Sequence, residues 1–593
     1  MSERRVERRR RRQTWVQRQT WRPWLFSALI FLAAWQVAST RFAARPPRAP
    51  AADERESSAA DAIKTFPLSS SEQVAVLALG GRSPAAAARA LRAAGVSYAV
   101  VSDPVAARRA RMIIIPLDDR AAPLDDAETA AYEAWISRGG VLILQAPAGG
   151  DLWRPLTGLE KVLPARSRRL LRLRAADDPA AKAFAPRAGA SVILAGASSS
   201  DAPWTVGLRG RADVVAVFED HEPAIVRRTI GAGRVYVLGV SIVDLYARPL
   251  AVRHFDAAED PRGGAFESGA DLAPDLLRAW ASSAFPDFVR LRALPGGAAA
   301  VLCVSHDLGD GPVSEAAAFA SAERSLGVRA AWFARAGLPW LDARRSSFLR
   351  GAVALGHEVG SRGDCLPPDF DALPLGGNED PRAYAPKADG ERSWGATLLG
   401  ETKVSRVRLK SLVGVDVQGF HGRASSRPEL LDEALSRASY LYDAGLSAAD
   451  VLTHRPFLLP ARRGFARDSA VIAIPIGLSA RAGETPAPSR VLTLLGRVAA
   501  SEGVLAWDMR PDLAGLAALR GTVARLPPGT LVLTPGEAAR RASERMRTRF
   551  WLEDGIGRSR VLTVEIPKGG ARDLSFETRG LQSCSIISGP AGA

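Results

Sequence analysis

The stretch "GHEVGSRGDCLPP", residues 356–368, decides how this chain is read. A strand-and-turn phrase of the form G-H-E-[IV]-G normally leads into a pair of histidines that grip a cation. Here it leads into Arg362 and Leu366. An imidazole has a lone pair to give, whereas a guanidinium has only N–H donors. The phrase has the outline of a metal site with its ligands missing.

Working outward, an apolar strand ends in "VSHDLGDG" (304–311), and a helical pattern, "SEAAAFASAERSLGV", precedes the strand "RAAWFAR". After the opening phrase come a long polar insertion (369–394) and "GETKVSRVRLKSLVGVDVQGFHGRAS". "YLYDAG" (440–445), "RPFLLP" with "DSAVIAIPIG" (455–477), "GVLAWDMRPD" (503–512) and "GTLVLTPGEAARRASERMRTRF" complete the series. Strands alternating with amphipathic helices imply an α/β fold.

That order of landmarks resembles the polysaccharide deacetylase family, the NodB-type carbohydrate esterases, over about residues 296–550. The resemblance implies a distorted (β/α) barrel and metal-assisted hydrolysis of an acetyl group. In the family an aspartate and two histidines hold a divalent metal, a second aspartate is the base, and a late histidine protonates the leaving amine.

Carried over residue by residue, the family's T-F-D-D motif falls on Ser305, His306, Asp307 and Leu308. Asp307 takes the position of the base. Its metal-binding neighbour is Leu308, with Asp310 close enough to substitute. The H-[ST]-x-x-H motif falls on Arg362 to Leu366, so both imidazoles are lost. The R-x-P motif falls on His421, Gly422 and Arg423, and the late histidine on Arg510 before Pro511. The resemblance therefore implies no metal site of the usual type. His357 reads as a packing histidine. His306, His421 and His454 each follow a predicted strand, and His306, Asp310 and His421 remain weak candidates for a rewired metal set. Arg362, His421, Arg423 and Arg510, with Tyr442 and Asp443, are expected at the barrel mouth, where guanidinium forks suit carboxylate or phosphate on a sugar polymer.

The segment before the barrel opens with "VAVLAL" (74–79) and alternates strands and helices through "SYAVVS", "MIIIPL" and "VLILQAP". An irregular basic stretch (160–190) follows, then "DVVAVFEDHEPAIVRRTIGAGRVYVLG" reads as strands around a Gly turn. The order resembles the class I glutamine-amidotransferase-like domain, a flavodoxin-like sheet, over residues 72–255. That chemistry needs a cysteine on the turn after a central strand. The matching turn offers Gln145, Ala146 and Pro147, and residues 41–302 contain no cysteine. Amidotransferase activity is excluded. The three cysteines, Cys303, Cys365 and Cys584, make no disulfide framework and no metal knuckle. A tail over residues 560–593 alternates like a small β-sheet.

The net charge of +16 invites a nucleic-acid function, but much of it is local. Residues 1–23 hold nine arginines against two glutamates, and the remainder shows no basic stripe interleaved with aromatics. No nucleic-acid partner is expected. The arginines precede "WLFSALIFLAAWQVAST" (24–40), which is apolar and flanked by Arg22 and Arg41. An Arg-rich flank stays cytoplasmic, and "VAST" is a poor cleavage site, so an uncleaved single-pass anchor is expected. Residues 41–71, rich in Pro, Ala and Ser, read as a linker. The bulk of the chain is then expected in the periplasm or outside the cell, facing cell-envelope polysaccharide. Two functions stand: a glycan-binding or scaffold protein with a degenerate metal site and no cofactor, or an active deacetylase using zinc or another divalent metal.

Overall fold

The computed structural model of the protein describes residues 68–589, apart from 71, 79–83, 117–124, 146–152, 175–176, 181, 183–190, 196–201, 252–267, 310, 338–339, 378, 390, 423–426, 461–467, 480–484, 556–558, 568 and 582–583. The basic tail, the apolar run 24–40 and most of the linker lie outside the described residues. Among the described residues no helix is long and apolar enough to cross a membrane.

The first half is a nine-stranded sheet. Strands β1 (Val74–Leu77), β2 (Tyr98–Val101), β3 (Met112–Ile115) and β4 (Val141–Gln145) are short apolar runs buried on both faces. Helices α1 (Ala85–Ala94) and α2 (Asp126–Ser137) connect them. That is how parallel strands with helices on both faces read in sequence. The second part of the sheet is a meander: β5 (Leu170–Leu173), β6 (Ser191–Ile193), β7 (Asp213–Phe218), β8 (Pro223–Ile230) and β9 (Gly233–Leu238). The order is β2-β1-β3-β4-β9-β8-β7-β5-β6, with β9 parallel to β4 and the rest of the meander antiparallel. The sheet is therefore mixed rather than wholly parallel, and the basic stretch 160–190 supplies strand β5. Gln145, at the end of β4, is buried and its side-chain carbonyl accepts from the Ile242 N–H.

Helix α3 (Leu272–Ala284) and strand β10 (Phe288–Leu291) lead into a second, ten-stranded sheet. Its central strand is β11 (Ala300–Asp307). Around it run α4 (Val313–Ser325), β12 (Ala331–Ala334), α5 (Ala343–Ala354), β13 (Glu358–Ser361), α6 (Ser405–Val413), β14 (Gly419–Phe420), α7 (Leu431–Arg437) and β15 (Tyr442–Asp443). The remaining elements are β16 (Phe457–Pro460), β17 (Asp468–Ala473), β18 (Ile476–Ser479), α8 (Pro488–Ala500), β19 (Val504–Asp508), α9 (Leu513–Val523), β20 (Thr530–Leu533) and α10 (Pro535–Arg547). The order is β16-β17-β15-β14-β13-β12-β11-β19-β18, with β20 also paired to β11. A single bridge between Ser447 and Ile476 draws the two arms together, so the sheet curls into a partial barrel.

The barrel is filled. Val301, Cys303, Phe333, Tyr442, Ile474 and Ala506 pack inside it, while Leu302, Val304 and Trp332, one residue out of phase, face the helices. Gly360 is required here, because a Cβ would lie 2.3 Å from the Phe333 ring. Both cysteines with described side chains, Cys303 and Cys365, are free. A three-stranded sheet of β21 (Arg549–Asp554), β22 (Arg560–Glu565) and β24 (Cys584–Gly589) closes the chain, and β23 (Phe576–Arg579) pairs with β10.

One buried apolar cluster runs from β1 through α3 into the barrel, so the two halves share a core. Its polar seam centres on Glu502, whose backbone is left-handed at φ +52°. Its carboxylate accepts from Arg290 at 2.6 and 3.0 Å and from the Ala293 N–H at 3.1 Å. Burial opposes the charge, but the Arg290 guanidinium outweighs it and holds Glu502 well below the usual carboxylate range. Removing one partner of a buried pair strands the other. Glu502→Gln is expected to cost about 3 kcal/mol in urea denaturation; an unchanged midpoint would show that the seam contributes nothing.

Candidate functional site

Asp307 is the last residue of β11 and shares its inward face with Cys303 and Ser305. Arg362 stands just past β13, in phase with Gly360 and Glu358, and its Nη1 pairs with the Asp307 carboxylate. The Arg362 side chain is 7% exposed and that of Asp307 44%, so the pair sits at the rim of the barrel. The position where the sequence led us to look for a ligand nitrogen holds a guanidinium, turned onto Asp307.

The loop behind Arg362 is shaped by a residue that the sequence reading passed over. Glu401 is fully buried, in a π-helical turn (Gly400–Val404) before α6. Its carboxylate accepts from the backbone N–H groups of Asp364 (2.9 Å), Cys365 (3.1 Å) and Leu366 (2.8 Å), and from the Tyr384 hydroxyl (3.1 Å). Gly363 lies directly over it at φ +97°, where a Cβ would come within 2.7 Å of Oε2. Glycine is needed there twice over, for backbone angle and for space. Burial raises the Glu401 pKa against these hydrogen bonds.

The rest of the loop points away from the mouth. Leu366 is buried, at φ +50°. The Asp364 carboxylate pairs with Arg408 at 2.7 Å. Burial, then the neighbouring Glu401 charge, push Asp364 up to about 6. Burial likewise pushes the Cys365 thiol up, which leaves it inert as a nucleophile. Arg408 also donates to the Pro381 and Tyr384 carbonyls, pinning the insertion that carries the hairpin Lys387–Ala388 and Ser393–Trp394.

The other sequence-derived candidates do not gather around Asp307. His306 precedes it on the same strand, so it faces the helices. It is fully buried between Phe319 and Trp332, with Nδ1 2.9 Å from the Met509 carbonyl and Nε2 2.8 Å from Glu323. Burial disfavours its charge, but the Glu323 carboxylate prevails and its pKa rises. Strand alternation thus removes His306 from a metal set with Asp307. His421 is buried edge-on against Phe333, 5.1 Å between centroids. His454 is buried against Gly477, and burial drives its pKa down to about 4. His357 packs as expected, accepting from the Ala330 N–H at 3.1 Å and lying 2.9 Å from the Ala320 carbonyl.

Tyr442 and Asp443 are not mouth residues. Both are fully buried on β15. Tyr442 fills the barrel interior near Glu358. Asp443 is held by Arg427 at 2.5 Å and by the Gly445 N–H at 2.8 Å. Arg510 is exposed, just beyond β19 and next to the β11 edge. Asp310 and Arg423 lie outside the described residues.

Among the described residues, no group of three or more His, Cys, Asp or Glu could hold a metal ion. Among the described residues the Asp307 carboxylate faces a guanidinium, which does not fit a divalent cation, and no hydrolytic step is derived through one. A guanidinium there repels a dication and offers it no lone pair.

No protein-family model matches the sequence, and no curated protein does. Among solved structures, the chain is similar to a Mycobacterium smegmatis protein assigned as a polysaccharide deacetylase: 15% identity, 44% of this chain, 96% of that one, TM-score 0.32. It is also similar to a CE4 family pseudoenzyme from Bacillus anthracis: 12% identity, 40% of this chain, 65% of that one, TM-score 0.26. A third is the CE4 domain of a multidomain xylanase from the hindgut metagenome of Trinervitermes trinervoides: 12% identity, 40% of this chain, 88% of that one, TM-score 0.25. Likeness at that level leaves the chemistry to be read from the chain's own residues.

Asp364 gives a test with a definite sign. Folded, it keeps its proton to about 6, against 3.8 for an unperturbed aspartate, so the folded state binds more protons between those values. Its contribution to stability therefore falls as pH rises from about 4 to about 6. Asp364→Asn is expected to flatten that part of the stability–pH curve, measured by urea midpoints; an unaltered slope would place the titration elsewhere.

Proposed function

We propose that the protein is a membrane-anchored glycan-binding or scaffold protein of the cell envelope, built on a deacetylase-like barrel whose metal seat has been closed. The observation that carries this is the Asp307–Arg362 pair. The candidate base and the residue in the ligand position satisfy each other, and the loop that would present the second ligand is bound down onto Glu401.

Other features support binding. The rim lies at the C-terminal ends of the strands, where βα loops build sites in barrels of this kind. Arg510 is exposed there. The hairpin in the insertion after β13 presents Trp394, 57% exposed. An exposed indole face suits a sugar ring, and a guanidinium suits an anionic substituent on it. The first half, with strands in the order 2-1-3-4 followed by a parallel fifth, supports a flavodoxin-like, amidotransferase-like scaffold that lacks its nucleophile. The run 24–40 would tether the whole to the cytoplasmic membrane, with the arginine tail inside and the two α/β halves in the periplasm or beyond.

The test is made on the full chain in mild detergent. N-acetylated envelope polysaccharide is expected to be retained equally with and without EDTA, with no acetate released in the presence of zinc or cobalt. Trp394→Ala is expected to weaken retention about tenfold, the loss of one stacked aromatic contact. Acetate release that EDTA abolishes and zinc restores would overturn the proposal in favour of a metal-dependent deacetylase.

A further inference from the structure

The two α/β halves also meet around a small, partly open hollow. Its lining includes Arg455, Arg545, Tyr246, Leu250, Phe457 and Met546. A neighbouring hollow shares Tyr246, Leu250, Phe457 and Met546 and adds Arg89 and Arg92. The walls are apolar and one pole is cationic.

The two inner arginines differ in how they are neutralised. Arg455, 6% exposed, pairs with Asp275 at 2.8 Å and donates Nε to the Ser501 carbonyl at 2.7 Å. Its Nη1 is buried without a protein partner. Arg545, 7% exposed, comes from the last turn of α10. It donates Nε to the Arg292 carbonyl at 2.8 Å and Nη2 to the carbonyls of Ala93 at 3.0 Å and Leu291 at 3.3 Å. Among the described residues no carboxylate lies within ion-pair distance of Arg545. Glu502, the nearby acid, is taken by Arg290. Burial first, and Arg455 second, push the Arg545 pKa down to about 10. Asp271 also lines the hollow, but it accepts from the Thr453 hydroxyl at 2.8 Å and faces Arg455.

We propose that this hollow is a binding site for a small oxyanion, a carboxylate or phosphate group, held between Arg545 and the free Nη1 of Arg455. A buried cation with carbonyl partners alone is poorly compensated, and a guanidinium is the side chain best shaped to take two oxygens of one anionic group. Because α1 and Tyr246 come from the first half and β16 and α10 from the barrel, a bound anion ties the halves together. This site is separate from the barrel rim and stands whether or not the rim binds glycan.

The experiment titrates the full chain in mild detergent with inorganic phosphate and, separately, with acetate, against chloride at matched ionic strength. Phosphate, acetate or both are expected to raise Tm by about 2 °C beyond chloride as binding approaches saturation. The anion that acts names the class. Arg545→Met is expected to lose this response, and Met546→Trp, which fills the hollow without altering either guanidinium, is expected to lose it as well. Broadening of the phosphate ³¹P resonance by the wild-type chain provides a reading that does not depend on any variant folding. Absence of both a Tm response and broadening would mean that the hollow holds water only, and a response that persists in Arg545→Met would place the anion elsewhere; either result overturns the proposal.

Discussion

A carboxylate that never reaches the barrel mouth determines what the mouth can do. Glu401 sits beneath residues 363–366 and collects three successive backbone N–H groups, a Tyr384 hydroxyl and the close approach of Gly363. A buried carboxylate needs several donors, and consecutive backbone amides supply them only if the chain bends sharply around it. That bend carries Leu366 into the interior, turns Asp364 to Arg408 and leaves Arg362 at the rim facing Asp307. The same carboxylate holds the insertion through Tyr384, so the rim and the Trp394 hairpin share one anchor.

The joint between the two α/β halves works on a related principle. Apolar packing is continuous across it, but the specific alignment is set by buried charges: Arg290 between Glu502 and Glu577, and Arg455 on Asp275. Hydrophobic contact is tolerant of sliding, whereas paired charges in a dry seam are satisfied in one arrangement. The joint is therefore stiff at its pairs and under-compensated at Arg545, the position where the hollow opens.

Much of the architecture was legible because short, uniformly apolar runs between helical patterns can only be buried strands. The runs at 74–79, 112–117 and 300–304 read that way with no further context. The antiparallel meander was less legible, since the basic stretch around 170 conceals β5, whose one charged residue, Arg172, faces outward. At the site, an arginine at 362 and a leucine at 366 were legible from residue type alone. Which residues take part was not. His306 and Asp307 are adjacent letters, yet strand alternation places one among helices and the other at the rim. Tyr442 and Asp443 look like surface polar groups in a two-residue strand, and both are fully buried. Glu401 gave no signal, because "GETK" is ordinary sequence until the loop folds over it.

By itself, then, the order of residues determined that the position after β13 holds a fixed positive charge, since side-chain chemistry is local. Only the tertiary structure decided where that charge points. Arg362 turns onto Asp307, 55 residues earlier in the chain, and the crowding of Arg545 beside Arg455 comes from elements that meet only when both halves are folded. Fields and hydrogen bonds act across space, and the spacing of letters along a chain does not record those distances.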